Sequence, residues 1–197
     1  MLATLVSDEL HFPNLSMVGV DDRAAAHTAV AHLIAQGHSK IAVLGGPTTS
    51  FPSRMRRLGA QDAMEQAGLT FDDRLYGLSN YDFESAYHAM NSLLARRAEF
   101  TALFAMSDVI AFGAIRALVS AGFRVPQDVS VIGFDGITMS RYCVPVMTTI
   151  VQPSEQIALQ SIELLINQIE HGAPAQTITL QPELQQGESV CPCRHPL

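Results

Sequence analysis

Several chemically capable side chains follow short apolar runs that are typical of buried strands. The runs "KIAVLGGP", "LYGLSN", "TALFAM" and "VSVIG" are each followed by an arginine, an aromatic ring or a carboxylate. The carboxyl ends of parallel strands meet at one edge of a sheet, where open α/β sheets bind their ligands. A guanidinium and carboxylates beside an aromatic ring can bind a neutral, hydroxyl-rich ligand such as a sugar. The candidate residues are Arg56, Tyr81, Ser107, Asp108, Phe134 and Asp135.

Each of these candidates also has an ordinary structural explanation. An arginine near the start of a helix, such as Arg56, is commonly solvated, and a ring such as that of Tyr81 more often packs in a core. Asp108 could simply cap the helix that follows it. Asp135, which a glycine follows, could supply only turn chemistry. The convergence of several such groups at one sheet edge is therefore more informative than any one of them.

The sequence lacks the short motifs of common enzyme classes. It contains no G-x-S-x-G, P-loop, H-E-x-x-H or G-x-G-x-x-G pattern, which argues against several hydrolase and nucleotide-dependent classes. His27 and His32 are five residues apart, which is not the spacing of a helical metal pair. A hydrolase that uses the carboxylates of Asp108 and Asp135 stays open. The sequence nevertheless favours a protein that is not an enzyme and has no cofactor.

Composition excludes further classes of protein. Twelve basic residues stand against 19 acidic ones, for a net charge of −7, which is unfavourable for direct nucleic-acid binding. No run approaches the roughly 18 apolar residues of a membrane span, and the amino terminus lacks a basic secretory region. We therefore expect a cytoplasmic protein that does not bind membranes. Three cysteines (Cys143, Cys191 and Cys193) are too few for a disulfide framework, and "CPC" lacks the second ligand pair of a structural zinc site.

Helical and strand patterns alternate along the chain. Strands separated by helices of this length predict right-handed βαβ units and a mainly parallel sheet, hence the α/β class. The segments before residue 22 offer only two short strand candidates, "ATLV" and "SMVGVDD", and the tail "AQTITLQPEL" reads as one alternating strand. The predicted helices span residues 23–36, 53–67, 83–97, 108–121 and 154–170, and glycines 37, 68, 122 and 172 are expected to end four of them.

The order of these motifs resembles the effector-binding domain of LacI/GalR-type transcriptional repressors, which share a fold with periplasmic sugar-binding proteins. The matching stretches include "VGVDDRAAAHTAVAHLIAQGHSKIAVLGGP", "SRMRRLGAQDAMEQAG", "ALFAMSDVIAFGAIRALVSAGFRVPQDVSVIGFDG" and "MTTIVQPSEQIA". The resemblance extends from about residue 17 to about residue 189. It implies a periplasmic-binding-protein-like fold of type I with a parallel-sheet, Rossmann-like C-terminal subdomain.

The resemblance also assigns roles to individual residues. Asp135 and Phe134 would end a strand at the cleft between two lobes, and Arg56 would point into the same cleft. Tyr81 matches a stacking aromatic, and Ser107 with Asp108 matches a polar pair on the facing turn. Two further effector contacts are implied, Gln152 in the hinge crossover "TTIVQP" and Asp22 at the rim of the other lobe.

Two features of such repressors have no match in this chain, namely the helix-turn-helix headpiece and the first half of the N-terminal subdomain. On this interpretation residues 40–150 and 179–190 form a complete C-terminal subdomain, and residues 1–38 and 152–178 are a remnant of the N-terminal subdomain. Specific DNA binding would then require a headpiece outside this sequence. The exposed face of the remnant would promote self-association.

The predicted function is effector sensing in a LacI-type regulator, where a small molecule in the cleft is coupled to DNA binding in the full-length protein. The alternative is a sugar-binding protein of a transport system with the same fold. Purine-responsive members carry an arginine where this chain has Thr49 and Ser50, so a sugar is favoured, with a purine or nucleoside possible. A homodimer is also expected from the resemblance, through the helix after Asp108 and the segment "TMSRYCVP".

Overall fold

The computed structural model describes residues 16–193. The predicted strand "ATLV" lies outside the described residues. The described residues divide into two compact units: a smaller one formed by residues 16–21 and 152–182, and a larger one formed by Asp22–Val151 and residues 183–193. No helix among residues 16–193 is long and apolar enough to span a membrane.

The predicted helices are all present within two residues of their expected ends. Side-chain caps explain where three of them begin: the oxygens of Ser50, Asp82 and Ser107 accept from backbone N–H groups in the first turn. The four glycines expected to end helices have positive φ angles of 61–88°, which fits the left-handed conformation of a helix C-terminus. The helices are α1 (Asp22–Ala35), α2 (Phe51–Gln66), α3 (Phe83–Ala95), α4 (Asp108–Ser120) and α5 (Ser154–His171).

The strands form two sheets, one in each unit. The smaller sheet pairs β1 with β7 in parallel. The larger sheet has the order β3-β2-β4-β5-β6-β8, in which only β8 runs antiparallel to its neighbour. This confirms the predicted α/β class with a mainly parallel sheet. The strands are β1 (Met17–Val20), β2 (Ile41–Gly45), β3 (Tyr76–Leu78), β4 (Ala102–Ala105), β5 (Ser130–Asp135), β6 (Thr148–Val151), β7 (Thr177–Leu180) and β8 (Glu183–Gln185).

The tail departs from the prediction of a single strand. "AQTITLQPEL" forms two strands, β7 in the smaller sheet and β8 at the edge of the larger one. Pro182, between them, has no N–H to donate to a ladder, so a continuous strand is unfavourable there. One stretch of alternating residues therefore serves two separate sheets.

Helix α1 belongs to the larger unit. The sequence interpretation instead placed residues 1–38 together in the smaller lobe. Three residues of α1, Ala29, Val30 and Leu33, are fully buried and share a core with Phe104 of β4. At the contact with α2, a Cβ on Gly59 would lie 2.0 Å from the carbonyl oxygen of Arg23. Only a glycine allows the backbones of α1 and α2 to approach this closely.

Candidate ligand-binding site

Arg56 of α2 is the centre of a cluster at the carboxyl ends of β2, β4 and β5. Its Nε donates to Oδ1 of Asp22 at 2.7 Å, and its Nη1 lies 3.5 Å from Oδ1 of Asp135. Nη1 also donates to the carbonyl oxygen of Met106, just past β4. The guanidinium carbon lies 3.6 Å from the centre of the Phe134 ring. The structure thus brings together four predicted residues from three elements: Arg56 of α2, Phe134 and Asp135 of β5, and Asp22 of α1.

The two carboxylates and one guanidinium differ in exposure. The side chain of Arg56 is only 7 % exposed and that of Asp22 is 14 %, whereas that of Asp135 is 27 % exposed. Asp22 is the first residue of α1, where the helix dipole favours a negative charge. A buried guanidinium between two carboxylates is held in a fixed orientation, because each partner restricts its plane. Asp135 is therefore the member of this trio that a ligand reaches most easily.

Phe134 supports Arg56 from below. Its side chain is fully buried, and the face near the site is covered by the guanidinium. Stacking of an arginine on an aromatic ring is favourable and holds the guanidinium plane parallel to the ring. In this structure Phe134 orients the arginine and presents no face of its own to the surface.

The turn that carries Asp135 depends on two glycines. A Cβ on Gly133 would lie 2.2 Å from Oδ1 of Asp108, and a Cβ on Gly136 would lie 2.7 Å from Val151. Asp135 itself has a φ angle of 107°, a backbone conformation that residues other than glycine seldom adopt. The sequence "GFDG" is thus required by close packing around a strained aspartate, and it is more than an ordinary turn.

Asp108 lies beneath this turn and is fully buried. One carboxylate oxygen accepts from the hydroxyl of Thr149 at 2.6 Å, and the other accepts from the N–H of Ile137 at 2.9 Å. Burial raises the pKa of Asp108 to about 6, although these hydrogen bonds lower it; the charge of Asp135 raises it further. Asp108 thus anchors the turn after β5 and is closed off from solvent.

Ser107 has the capping role that the sequence left open for Asp108. Its hydroxyl oxygen accepts from the N–H of Ile110 at 3.1 Å at the start of α4, and the residue is buried. Ser107 and Asp108 are next to each other at the predicted sheet edge, but both are engaged within the fold.

Tyr81 follows β3 and packs against Gly46, the residue directly after β2. A Cβ on Gly46 would lie 2.0 Å from the tyrosine ring, so the ring occupies the place that a side chain would take. Tyr81 has φ of 59°. Its hydroxyl oxygen is shielded from solvent and has no hydrogen-bond partner.

Gln152 belongs to the smaller unit, at the start of its second segment. Its carbonyl oxygen accepts from the N–H of Ser154 at 2.8 Å. The sequence interpretation did not include Met106 and Thr149, which hold Arg56 and Asp108 through a backbone carbonyl and a hydroxyl. A backbone acceptor leaves no signal in residue type, but a glycine inside the apolar run of β5 could have indicated a close neighbour.

No group of three or more potential metal ligands occurs among residues 16–193. Cys191 and Cys193 lie near His38, whose Nε2 donates to the carbonyl oxygen of Cys191 at 3.0 Å, while its Nδ1 accepts from the hydroxyl of Thr101 at 2.9 Å. Burial lowers the pKa of His38, which favours this neutral tautomer. The imidazole thus fastens the C-terminal segment to the sheet.

Comparison with known proteins gives the context of this cluster. Residues 30–190 match the family described as "Periplasmic binding protein-like domain". The chain is 36 % identical over 174 residues to the HTH-type transcriptional regulator MalR of Clostridium butyricum, covering 88 % of this chain and 52 % of MalR. It is 38 % identical over 161 residues to the HTH-type transcriptional repressor PurR of Haemophilus influenzae, covering 81 % and 48 %. The chain spans about half the length of these curated relatives.

Solved structures agree with this assignment. The transcriptional regulator CelR in complex with cellobiose has a TM-score of 0.89 at 30 % identity, with 94 % of this chain and 57 % of that chain covered. A LacI family transcriptional regulator from Enterococcus faecium with bound ribose has a TM-score of 0.85 at 27 % identity, with 97 % and 70 % covered. The chain therefore belongs to the periplasmic-binding-protein-like domain family, in the form found in LacI-type transcriptional regulators.

Proposed function

We propose that this chain is the effector-sensing part of a LacI-type transcriptional regulator and that its effector is a sugar. The observation that carries the proposal is the buried Arg56, whose guanidinium lies between the carboxylates of Asp22 and Asp135 at the carboxyl ends of the strands. Such a network offers both donors and acceptors in fixed directions, which suits a ligand whose hydroxyl groups can each donate and accept.

The proposed contacts differ in part from those implied by the sequence. Asp135 and Arg56 would bind ligand hydroxyls directly, with Asp22 completing the polar wall. Phe134 would act through Arg56, and Asp108 would act through the turn that holds Asp135. The bound sugars of two structural relatives, cellobiose and ribose, support a sugar over a purine. PurR, as a relative of this chain, keeps a purine as the second candidate ligand.

Coupling to DNA belongs to the longer protein. The relatives named as transcriptional regulators are about twice as long as the matched region. In such a protein the sugar would favour one arrangement of the sensing region over another, and this preference would change the affinity for the operator. Nothing in the cluster around Arg56 requires catalysis for this role.

A homodimer is part of the proposal. Met139, Tyr142 and Val144 are large apolar or aromatic side chains that are exposed in one short segment after β5. Exposed apolar patches of this kind often mark protein interfaces. Tyr142→Ser with Val144→Ser should shift the sedimentation coefficient toward that of a monomer, and an unchanged coefficient of a dimeric wild type would place the interface elsewhere.

Isothermal titration of the chain with cellobiose, ribose, maltose and hypoxanthine tests the ligand class. One sugar should bind, and Arg56→Ala should weaken that binding by about 10- to 100-fold, because charged hydrogen bonds contribute about 1.5–3 kcal/mol. Arg57→Ala is the matched control on the same helix, since Arg57 pairs with Asp73 and stacks on Tyr76. Binding of hypoxanthine alone would replace the sugar by a purine, and equal losses in both variants would contradict the role of Arg56.

A further inference from the structure

The C-terminal segment carries two cysteines where it is fastened to the larger unit. The N–H of Cys193 donates to the carbonyl oxygen of Gln36, just after α1, at 2.8 Å. The N–H of Cys191 donates to the hydroxyl of Ser130 at 3.1 Å, and its carbonyl oxygen accepts from His38 at 3.0 Å. The backbone of both cysteines is therefore docked on the unit, while both thiols are free of any disulfide.

Both cysteines border one cavity of about 220 Å³, which Thr101 and Arg124 also line. Both are half-buried, so a small reagent can reach them through the open side of the cavity. Residues two positions apart have α-carbons at most about 7 Å from each other, close to the roughly 4.4–6.8 Å that is usual across a disulfide. The chain thus holds the thiols of Cys191 and Cys193 within reach of each other.

Cys143 shows how a cysteine is kept unreactive in the same unit. Its thiol donates to the carbonyl oxygens of Ser140 and Pro145, at 3.2 and 3.1 Å. Burial raises the pKa of Cys143, which lowers the fraction of the thiolate, the reactive form. Cys143 also lies far in sequence from the other two cysteines, and it therefore serves as the internal control.

We propose that Cys191 and Cys193 form a reversible disulfide and that this bond releases the end of the C-terminal segment from α1. The oxidant is a small disulfide of the glutathione type. The Cys193 thiolate attacks one sulfur of the oxidant and expels the other as a thiolate; the Cys191 thiolate then attacks the mixed disulfide and expels the second. Two protein thiols are oxidised, one oxidant disulfide is reduced to two thiols, and the two protein protons pass to those thiols.

The order of attack follows from the contact of Cys191. Its thiol donates to the carbonyl oxygen of Pro126 at 3.3 Å, and a hydrogen bond of this kind favours the protonated form. The first thiolate is therefore that of Cys193, and Cys191 resolves the mixed disulfide.

The new bond and the present docking place different demands on the segment. A disulfide draws its two Cβ atoms to about 3.8 Å from each other, and the ring of Pro192 between the cysteines fixes its φ angle. The adjustment therefore falls on the backbone of Cys191 and Cys193, whose N–H groups both donate to partners on the unit. Cys193 lies nearer the end of the chain, so its bond to Gln36 is the one given up.

Thiol alkylation followed by mass spectrometry tests the disulfide. The reduced chain is incubated with glutathione disulfide, and the remaining thiols are alkylated with N-ethylmaleimide in urea. The count of alkylated thiols should fall from three to one: Cys143 takes the label, and the peptide with Cys191 and Cys193 is unlabelled and lighter by two hydrogen atoms. Dithiothreitol should restore all three. A count that stays at three, or a lasting glutathione adduct on either cysteine, would overturn the proposal.

Thermal unfolding tests the release of the segment. Oxidation should lower the midpoint by roughly 2–4 °C, because the segment loses about one backbone hydrogen bond. Cys193→Ser should unfold at the same midpoint with and without the oxidant. Cys143→Ser, the matched control, should keep the shift of the wild type. An unchanged or higher midpoint of the oxidised wild type, or an equal shift in Cys193→Ser, would contradict the release.

Discussion

The two units bury their large apolar side chains to very different extents. In the larger unit, helices pack on a sheet whose central strands are fully buried, and Leu103, Phe104 and Ile132 have no exposed surface. In the smaller unit, α5 has one buried residue, Leu164. Gln168 of α5 also accepts a hydrogen bond from the hydroxyl of Ser16 at 2.9 Å. The exposed side chains of α5 are Leu159 (62 %), Ile162 (57 %), Ile166 (45 %) and Ile169 (60 %).

The spacing of these four residues explains the contrast. Positions separated by three, four and three residues lie on one face of a helix, and this face is opposite Leu164. Several residues near Leu164 are polar, among them Gln160, Asn167 and Gln168. In the larger unit, hydrophobic burial supplies most of the stability. In the smaller unit, most large apolar side chains of α5 stay exposed, so they contribute little to the stability of that unit.

The largest expected change in the free energy of unfolding comes from a core substitution in the larger unit. Leu103→Ala should lower the free energy of unfolding by about 2–5 kcal/mol, because it leaves a cavity in a closely packed core. Ile162→Ala in α5 should change it by less than about 0.5 kcal/mol, because that side chain is already exposed. Urea unfolding followed by circular dichroism measures both. Similar losses in the two variants would remove the contrast between the units.

The next largest effect is the pH dependence that the buried Asp108 gives to the free energy of unfolding of the larger unit. The pKa of Asp108 is raised from 3.8 to about 6 in the folded chain, so the folded state binds the proton more tightly than the unfolded state does. The stabilisation from this group is complete below pH 3.8 and is lost as the pH rises through 6. The loss amounts to at most roughly 3 kcal/mol, since each pKa unit corresponds to about 1.4 kcal/mol.

Urea unfolding between pH 4 and 7 measures this dependence. Asp108→Asn should flatten it in the larger unit, even though the amide also disturbs the hydrogen bonds to the turn. Asp62→Asn is the control, because Asp62 is an exposed partner of Arg23 and its pKa is lowered. An Asp108→Asn variant that keeps the full slope would show that another group titrates.

The smallest effect on stability is expected in α5. Replacing Ile162 and Ile166 by glutamine should leave the free energy of unfolding nearly unchanged, while it lowers concentration-dependent self-association, because the exposed apolar stripe is interrupted. Sedimentation velocity over a range of concentrations measures this. Unaltered self-association would mean that the self-association surface lies in another part of the chain.

The secondary structure of the larger unit is predictable because its signals are local. The local signals are the Val/Ile run of β5, a serine or aspartate before each of α2, α3 and α4, and a glycine after α2 and α4. The unit that a segment joins is not a local property. Helix α1 carries the same kind of apolar face whichever unit buries it, so its place beside α2 depends on the contact at Gly59.

Residue type and position after the strands single out Arg56, Phe134 and Asp135, which the structure brings into one cluster. They do not reveal that Phe134 lies beneath the guanidinium or that Asp108 is closed off from solvent. Those roles depend on which way a side chain leaves the backbone and on neighbours distant in sequence.

The division of the tail between two sheets also fixes an order of events during synthesis. Strand β8 pairs with β6, yet residues 152–182 of the smaller unit lie between them in the chain. A nascent chain that ends at Pro182 has five strands of the large sheet and an unpaired edge on β6, and such an edge can pair with another polypeptide. The ribosome must therefore synthesise the last segment of the smaller unit before β8 can pair with β6 and complete the larger sheet.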